Sequence, residues 1–402
     1  MKQPFRRLPN LTDRVVRLRP FQIDDAPVII AAARERDIYY STGTTLPQTL
    51  GGALSWIDDT RKAWRDGPDA RLAIADYATG EVLGAIALLG VDRAGSYGRF
   101  RYWVRGARRR HGAARRALVL LSAWARYELG LERLEAMVAY ENVAAQEVAV
   151  AAGFRPEAVL RSYRRQHDHR TDYCLYALPT PSWDHGSGVR DGIDDAEVYP
   201  EPLRPVGDEP VLPDVLPVLE GGGLRLRPYR PDDLDALVAS IDQEAARWMR
   251  SAPWPYDAAR GAAFLESATQ AWADRRAQFA ITEAGIDELI GELNVDIDLP
   301  NGIGEVGYSV APGSRGRGVA TQAIALVVDW GLDRLRLARL DLSIDTRNLA
   351  SLRVAAKSGF RREGTLHGYL RSTGERSDDA LASLLPTDPR PAQARRADAP
   401  PV

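Results

Sequence analysis

The chain has 402 residues, of which 45% are hydrophobic, and its formal net charge at pH 7 is -2. That balance offers no excess of positive charge for binding nucleic acid or an anionic membrane surface. The single cysteine, Cys174, excludes an intrachain disulfide and a multi-thiolate metal site. Since there is neither a signal-peptide pattern nor an apolar run of membrane-spanning length, we expect a cytoplasmic protein without metal, membrane or nucleic-acid partners.

The sequence contains two copies of one pattern. Residues 99–178 align without a gap on residues 305–384, and about one aligned position in three is identical, far above the roughly 1 in 17 expected by chance. Looser matches extend each copy upstream, where Arg17-Leu-Arg-Pro20 corresponds to Arg225-Leu-Arg-Pro228. Each copy reads as a strand, helices, a group of antiparallel strands, a turn, a helix, a strand, a second helix and final strands. The repeat therefore predicts two α/β domains, each with a mostly antiparallel sheet flanked by helices.

These copies set the predicted domain boundaries at residues 1–180 and 223–386. Residues 181–222 between them are rich in acidic residues and proline and end in glycines, a composition that does not bury enough apolar surface to become ordered. A coil of about 40 residues spans roughly 35 Å, which lets the two domains pack as an intramolecular pseudo-dimer. Residues 387–402 are rich in Pro, Ala and Arg and are expected to form a disordered tail.

The second copy contains a glycine-rich connection between a strand and a helix. The strand Glu305-Val-Gly-Tyr-Ser-Val310 leads through a short turn into Arg315-Gly-Arg-Gly-Val-Ala320, and an apolar helix follows. Glycines in such a turn allow unusual backbone angles and the close approach of an anion, and the positive end of the helix favours a phosphate. A turn of this kind with solvated arginines is also common without any ligand, so the motif needs further support.

The motifs and their order resemble those of the GNAT acetyltransferases. Arg315-x-x-Gly318-x-Ala320 fits the acyl-CoA signature of that family, and the segment from Asn348 to Phe360 is similar to the RimJ/RimL type. The resemblance covers both copies and is closer in the second. It implies acetyl-CoA as co-substrate, with its pyrophosphate on the amides of residues 315–320, and an acceptor amine that enters from the opposite face of a parted sheet.

The same resemblance assigns binding residues. The implied cofactor-binding residues are Ser309, Val310, Arg315, Gly316, Arg317, Gly318, Val319, Ala320 and Asn348. Trp254 and Tyr256 fall in the helical region that shapes the acceptor pocket in this family, although a hydrophobic staple explains them equally well. Asn348 also suits the cap of the following helix.

Acetyl transfer requires a neutral amine, whereas a free alkylamine is mostly protonated at pH 7. A positioned carboxylate can take the proton. Glu305 is the first candidate because it lies on the strand that lines the thioester in this family, and Glu292 on the preceding strand is the second. Either side chain faces solvent if the strand facing differs by one residue. By resemblance, Ser351 is the candidate hydrogen-bond donor to the departing thiolate.

The first copy lacks these groups. Arg99 stands at the position of Glu305, Ala85 at that of Glu292, Ala145 at that of Ser351 and Arg110 at that of Gly316. The residues that remain as weaker candidates for CoA binding are Val104, Arg109, Gly112, Ala114 and Asn142.

The predicted activity is therefore direct acetyl transfer to a primary amine by the second domain, with the first domain structural or regulatory. One alternative is a non-enzymatic acyl-CoA sensor. Another is an antibiotic or a polyamine as acceptor instead of a protein N-terminus. The charge of the acceptor pocket distinguishes these acceptors, because a cationic small molecule favours several carboxylates.

Overall fold

The computed structural model describes residues 8–42, 44–166, 169–180, 204–205, 209–249, 254–372 and 375–390. The chain divides into two compact units, Met1–Leu160 with Thr171–Pro200 and Arg161–Arg170 with Glu201–Val402. Most of the predicted linker and the tail from residue 391 onward lie outside the described residues. Of the helices in the described ranges, none has the length and apolar character needed to cross a bilayer.

The first copy folds into a sheet with helices in the predicted order. Its strands are β1 (Leu11–Thr12), β2 (Val16–Arg19), β3 (Ala70–Asp76), β4 (Val82–Asp92), β5 (Tyr97–Val104), β6 (Arg133–Ala139), β7 (Arg155–Gln166) and β8 (His169–Ala177). Its helices are α1 (Ala26–Ala32), α2 (Arg36–Thr42), α3 (Leu50–Arg65), α4 (Ala113–Tyr127) and α5 (Val143–Ala151). Strands β2 to β5 are antiparallel neighbours, β5 and β6 are parallel, and β8 runs antiparallel to β6.

The second copy repeats this architecture. After β9 (Arg204–Pro205), its strands are β10 (Leu219–Gly221), β11 (Leu224–Arg227), β12 (Arg276–Glu283), β13 (Leu289–Asp298), β14 (Ile303–Val310), β15 (Arg339–Asp345), β16 (Arg361–Ser372) and β17 (Glu375–Leu384). Its helices are α6 (Leu234–Ser240), α7 (Gln243–Trp248), α8 (Ala258–Ala271), α9 (Val319–Val328) and α10 (Leu349–Lys357). Strands β10 to β14 pair antiparallel in sequence order, and β17 lies between β15 and β16.

Helix α9 packs on one face of this sheet because its apolar residues recur on one side. Ala323, Ile324 and Val327 are fully buried against strand residues such as Phe279 and Val295, the spacing of an amphipathic helix. Helices α6 to α8 cover the other face through a smaller cluster around Leu237, Ala280 and Leu289. The two faces therefore have different cores.

Residues 209–222, predicted to be part of the linker, are ordered in the second unit. Leu219 is buried in the core that surrounds α9, and Leu212 and Leu216 pack against it. Strand β10 pairs with β11, and the indole nitrogen of Trp272 donates a hydrogen bond to the carbonyl of Pro213 at 3.0 Å. The average composition of residues 181–222 is acidic and proline-rich, so composition alone does not reveal these regularly placed leucines. Their burial offsets the conformational entropy that is lost when the segment becomes ordered.

The two parallel strands of the second unit part after a short contact. Strand β14 pairs with β15 only at residues 303–305, although it pairs with β13 along its whole length. The edge of β14 at residues 306–310 thus has no ladder partner on the β15 side within the described structure. The first copy parts at the equivalent place, because β5 pairs with β6 only at residues 97–100.

A buried ion pair fixes the start of each copy. Both terminal guanidinium nitrogens of Arg227, Nη1 and Nη2, donate to Asp233, at 2.8 and 2.7 Å, and Asp233 also accepts from the backbone N–H of Arg230 at 2.7 Å. Arg19 and Asp25 make the same bidentate contact in the first copy. Asp25 and Asp233 therefore fix the turn that opens the first helix of each copy.

We expect the substitution Asp233→Ala to lower the free energy of unfolding by about 3 kcal/mol, because Arg227 would keep a buried charge with only part of its partners. Urea denaturation of the full chain measures this. The matched control is Asp296→Ala, which breaks the exposed pair with Arg276 and should cost less than about 1 kcal/mol. Equal losses in the two variants would contradict the structural role of Asp233.

Candidate active site

The turn before α9 leaves its backbone amides exposed to an anion. Gly316 and Gly318 have φ angles of +75° and +84°, a conformation that glycine adopts at little cost. Gly318 is the N-cap of α9 and makes no side-chain cap hydrogen bond, whereas α7, α8 and α10 each have a side-chain cap. A Cβ atom added at Gly316 would meet no atom within 4 Å. The predicted residues 316–320 therefore form a shape that fits a phosphate.

The arginine side chains of this turn are paired with carboxylates. Arg315 donates to the carbonyl of Val310 at 3.0 Å and to Asp242 at 2.8 and 2.9 Å, with Glu244 at 3.1 Å. Hydrogen bonding from Arg315 lowers the pKa of the Asp242 carboxyl. Arg317 pairs with Glu283 at 2.7 Å. The arginines hold the turn in place, so the amides of the turn are its available anion donors.

The end of β14 presents different residues to the two faces of the sheet. Ser309 lies directly opposite Glu292 of β13, so their side chains share the face covered by α6 to α8. Tyr308 points to the other face, where its hydroxyl donates to the carbonyl oxygen of Ser351 at 3.3 Å. The side chain of Asn348 accepts a hydrogen bond from the Ser351 N–H at 3.0 Å. Asn348 is thus the cap of α10 and places Ser351 in its first turn.

Tyr308 was not among the predicted site residues. Its counterpart Tyr102 makes the same contact in the first copy, donating to the carbonyl of Ala145 at 2.8 Å. The identity of this tyrosine in both copies was the available signal.

Glu292 has the environment of a general base. Its side chain is half-buried, and burial raises the pKa of its carboxyl to about 7, while the nearby Tyr229 hydroxyl acts in the opposite direction. Burial raises the pKa of the Tyr256 hydroxyl, and the charge of the nearby Glu292 raises it further. A carboxylate that titrates near neutral pH is well matched to taking a proton from an amine.

Glu305 lies farther from the turn. It is exposed and occupies the last pair of residues before β14 and β15 part, opposite Asp296 on one side and Asp341 on the other. Ser309 lies four positions farther along the strand, which is about 13 Å. Burial, the charge of Glu363 and, to a smaller extent, the charge of Glu305 raise the pKa of Asp341 against the attraction of Arg339.

The first copy has an ion pair at this position instead of two carboxylates. Arg99 bonds Glu135, the counterpart of Asp341, at 3.1 Å. Across the described ranges, no group of three or more His, Cys, Asp or Glu side chains is placed to hold a metal ion.

The two predicted acceptor residues differ in position. Tyr256 is half-buried, packs in the cluster between α6 and α8, and neighbours Glu292. Trp254 precedes a cis peptide bond to Pro255 and is 52% exposed. The structure therefore brings Tyr256 to the candidate base and leaves Trp254 at the surface.

The first copy has kept the turn and lost the polar pocket. Gly112 has a φ angle of +77° at the start of α4, and Arg110 adopts +64° at the position of Gly316. Ala85, Trp103 and Phe21 are buried in one apolar cluster on the face where the second copy has Glu292 and Ser309.

The remaining predicted residues of the first copy support its turn. Arg109 donates to the carbonyl of Val104 at 2.9 Å, as Arg315 does to Val310. Asn142 accepts a hydrogen bond from the N–H of Ala145 at 3.1 Å and caps α5, while Ala114 lies half-buried in the first turn of α4.

Comparison with known proteins agrees with this architecture. The Acetyltransferase (GNAT) domain family matches residues 16–155 and 223–361. The chain is 28% identical to the uncharacterized N-acetyltransferase p20 of Bacillus licheniformis over 165 residues, which are 40% of this chain and 92% of that protein. It is 33% identical to spermidine N(1)-acetyltransferase of Escherichia coli K12 over 84 residues, which are 21% of this chain and 42% of that protein.

Among solved structures, RimJ of Mycobacterium smegmatis in complex with CoA-disulfide is 27% identical, with 44% of this chain and 90% of that chain covered and a TM-score of 0.39. The family matches confirm the predicted fold class and the predicted class of enzyme. The chain belongs to the GNAT acetyltransferase family and carries one such domain in each of its two copies.

Proposed function

We propose that the second unit transfers an acetyl group from acetyl-CoA directly to a primary amine, with Glu292 as general base and Ser351 as hydrogen-bond donor to the leaving thiolate. One observation carries this proposal: a half-buried carboxylate of raised pKa lies beside Ser309, where β14 parts from β15. GNAT enzymes use acetyl-CoA and act on amines, so the proposal concerns which groups of this chain perform that reaction.

The residues of the second unit fit the co-substrate. The amides of Gly316 to Ala320 would hold the pyrophosphate, and the unpaired edge of β14 at residues 306–310 offers backbone groups to the amides of the pantetheine arm. Bound acetyl-CoA supplies the thioester. Cys174, the only cysteine of the chain, belongs to the first copy and is buried, which supports direct transfer without a cysteine-bound intermediate.

Each polar group then has one task. Glu292 takes a proton from the ammonium of the acceptor, and the lone pair of the resulting neutral amine attacks the thioester carbonyl, whose C–S bond then breaks. Ser351 donates a hydrogen bond to the sulfur that leaves. Tyr308 holds the first turn of α10 against β14 through its contact with Ser351, which fixes the distance between donor and strand.

The charge of the acceptor face favours a cationic amine. Glu292, Asp296 and Glu305 share one face of the sheet by their pairing, and Asp341 lies opposite Glu305. Arg276 already pairs with Asp296 and Arg339 with Asp341, so the attraction for a second positive charge, which favours a polyamine over a protein N-terminus with one charge, comes from Glu292 and Glu305. The similarity to a spermidine acetyltransferase agrees with this choice.

The first unit is proposed to be structural or regulatory. Its apolar cluster around Trp103 and Ala85 occupies the acceptor face, so it provides no base. Its turn retains an uncapped helix start at Gly112. A titration calorimetry experiment with CoA on the full chain distinguishes the two roles: a stoichiometry of one per chain supports a structural unit, and two supports a regulatory one.

The pH dependence of the wild-type activity follows from Glu292. The ionised form is the active one, so with acetyl-CoA saturating, kcat/KM for the amine is expected to rise with pH and to show an apparent pKa near 7. A second rise toward pH 10 reports the free amine itself. A profile that rises only above pH 9 would contradict the role of Glu292.

The proposed activity is tested by following CoA release with a panel of amines. Spermidine, an aminoglycoside and a peptide with a free N-terminus represent the three acceptor classes. Turnover with spermidine at a lower KM than the peptide supports the proposal. CoA binding without turnover on any amine supports the sensor alternative.

A further inference from the structure

Three strands of the second unit place polar side chains in rows on the face that α6 to α8 cover. The pairing of β12, β13 and β14 sets Gln278, Asn294 and Gly307 side by side in one row. The row next to it holds Glu292 and Ser309. Residues directly opposite each other on neighbouring strands project from the same face, so the row of Gln278 lies one step along the strands from the proposed base.

Gln278 carries a buried hydrogen-bond acceptor without a donor. The residue is only 7% exposed, and across the described residues its side-chain oxygen, Oε1, has no hydrogen-bond partner. An unpaired buried acceptor costs free energy, so a folded protein rarely keeps one unless another molecule supplies the donor. The neighbour of Gln278 on the same face is the polar side chain of Asn294.

Asn294 reaches across the row toward β14. A Cβ atom built on Gly307 would overlap the side-chain oxygen of Asn294, so the lack of a side chain at Gly307 gives this amide its space. Asn294 is half-buried, like Glu292 two positions before it. The row therefore offers two amide oxygens at different depths, half-buried at Asn294 and buried at Gln278.

The spacing of these rows suits an acceptor with more than one nitrogen. Gln278 is the diagonal neighbour of Glu292 on the adjoining strand, and such positions lie about 7 to 8 Å apart, within reach of long side chains. An acceptor whose reacting amine meets Glu292 would bring its next nitrogen to Gln278 and Asn294. Glu305 lies one row farther along β14, so a polyamine that follows the strands meets a hydrogen-bond acceptor in each row.

The first copy has no such row. Arg71, Ala87 and Arg101 occupy the paired positions, and the next row holds Ala85 and Trp103. Guanidinium groups are donors that repel a cationic acceptor, whereas amide oxygens accept hydrogen bonds from it. The two amides therefore occur only in the copy that has the carboxylate.

We propose that Gln278 and Asn294 form a subsite for a second N–H group of the acceptor, and that this subsite selects polyamines over monoamines. The inference rests on the proposed function, because it takes Glu292 as the place that holds the reacting amine. The secondary ammonium of spermidine donates to Oε1 of Gln278 and satisfies the acceptor that the protein leaves unpaired.

The test is Gln278→Met in the full chain, which keeps the length of the side chain and removes its amide. We expect kcat/KM for spermidine to fall at least about 10-fold, the loss typical of a hydrogen bond from a charged donor. The value for propylamine, which has no second nitrogen, should stay the same. Because the variant also loses an unpaired buried acceptor, it should unfold at a higher urea concentration than the wild type.

Gln270→Met is the matched control, since Gln270 is exposed on α8. It should change neither the preference for spermidine nor the urea midpoint. Equal losses for spermidine and propylamine in Gln278→Met, or no loss for either amine, overturn the inference.

Calorimetry with spermidine on the full chain in the presence of CoA separates this inference from the proposed function. If the wild type turns over no amine, the proposed function fails, and the Kd for spermidine then decides the subsite. A Kd about 10-fold higher in Gln278→Met supports the subsite. An unchanged Kd, or no binding to the wild type, overturns it.

Discussion

Replacing Glu292 with Gln is expected to lower kcat roughly 100- to 10,000-fold at pH 7, the range that a general base contributes. The amide keeps the shape of the side chain and cannot accept the proton. The loss should shrink above pH 9, because the amine is then increasingly neutral without a base. Steady-state kinetics at saturating acetyl-CoA between pH 6 and 10 measures both effects.

Glu305→Gln is the matched comparison, since Glu305 was the first candidate from the sequence. It is exposed and about 13 Å along the strand from Ser309, so we expect a change in kcat of less than about 10-fold and a higher KM for a polyamine. A larger loss of kcat in Glu305→Gln than in Glu292→Gln would reverse the order of the two candidates.

Replacing Gly318 with Asp is expected to weaken CoA binding by at least about 100-fold and to abolish turnover at micromolar acetyl-CoA. Asp tolerates the positive φ angle of this position better than most residues, so the turn keeps its shape. Its carboxylate then lies at the start of α9, where it repels a phosphate and competes for the amides. Titration calorimetry with CoA measures the loss.

Two control variants show whether the loss comes from the negative charge and whether it is specific to the second unit. Gly318→Asn adds a neutral side chain of the same size and should cost less affinity than Gly318→Asp. Gly112→Asp makes the same change in the first unit. The full chain with this substitution should keep its turnover if the second unit alone is catalytic. Loss of turnover only in Gly112→Asp would move the catalytic assignment to the first unit.

Patterns in the sequence predicted those features of the structure that depend on residues close together in the chain. The glycine turn, the helix caps at Asn142 and Asn348 and the order of elements follow from residues close to one another in the chain. The order that we propose for the two candidate bases does not follow in this way. It depends on the pairing of Glu292 with Ser309 and on the helices that bury this face, both of which involve distant segments.

The role of Arg315 shows the same limit. Its charge next to a phosphate turn suggested a ligand for the phosphate, yet its guanidinium pairs with Asp242 at the start of α7. Neither residue carries a local signal for the other.

Arg110 in the first unit shows that this turn can keep its backbone shape when a glycine of its motif is replaced. Arg110 has a left-handed backbone, which costs this residue about 1 kcal/mol more than it would cost a glycine. The surrounding turn still matches the glycine-rich turn of the second unit. The two turns of this chain therefore share a backbone shape and differ in their side chains, so the sequence of such a turn can change while its architecture stays the same.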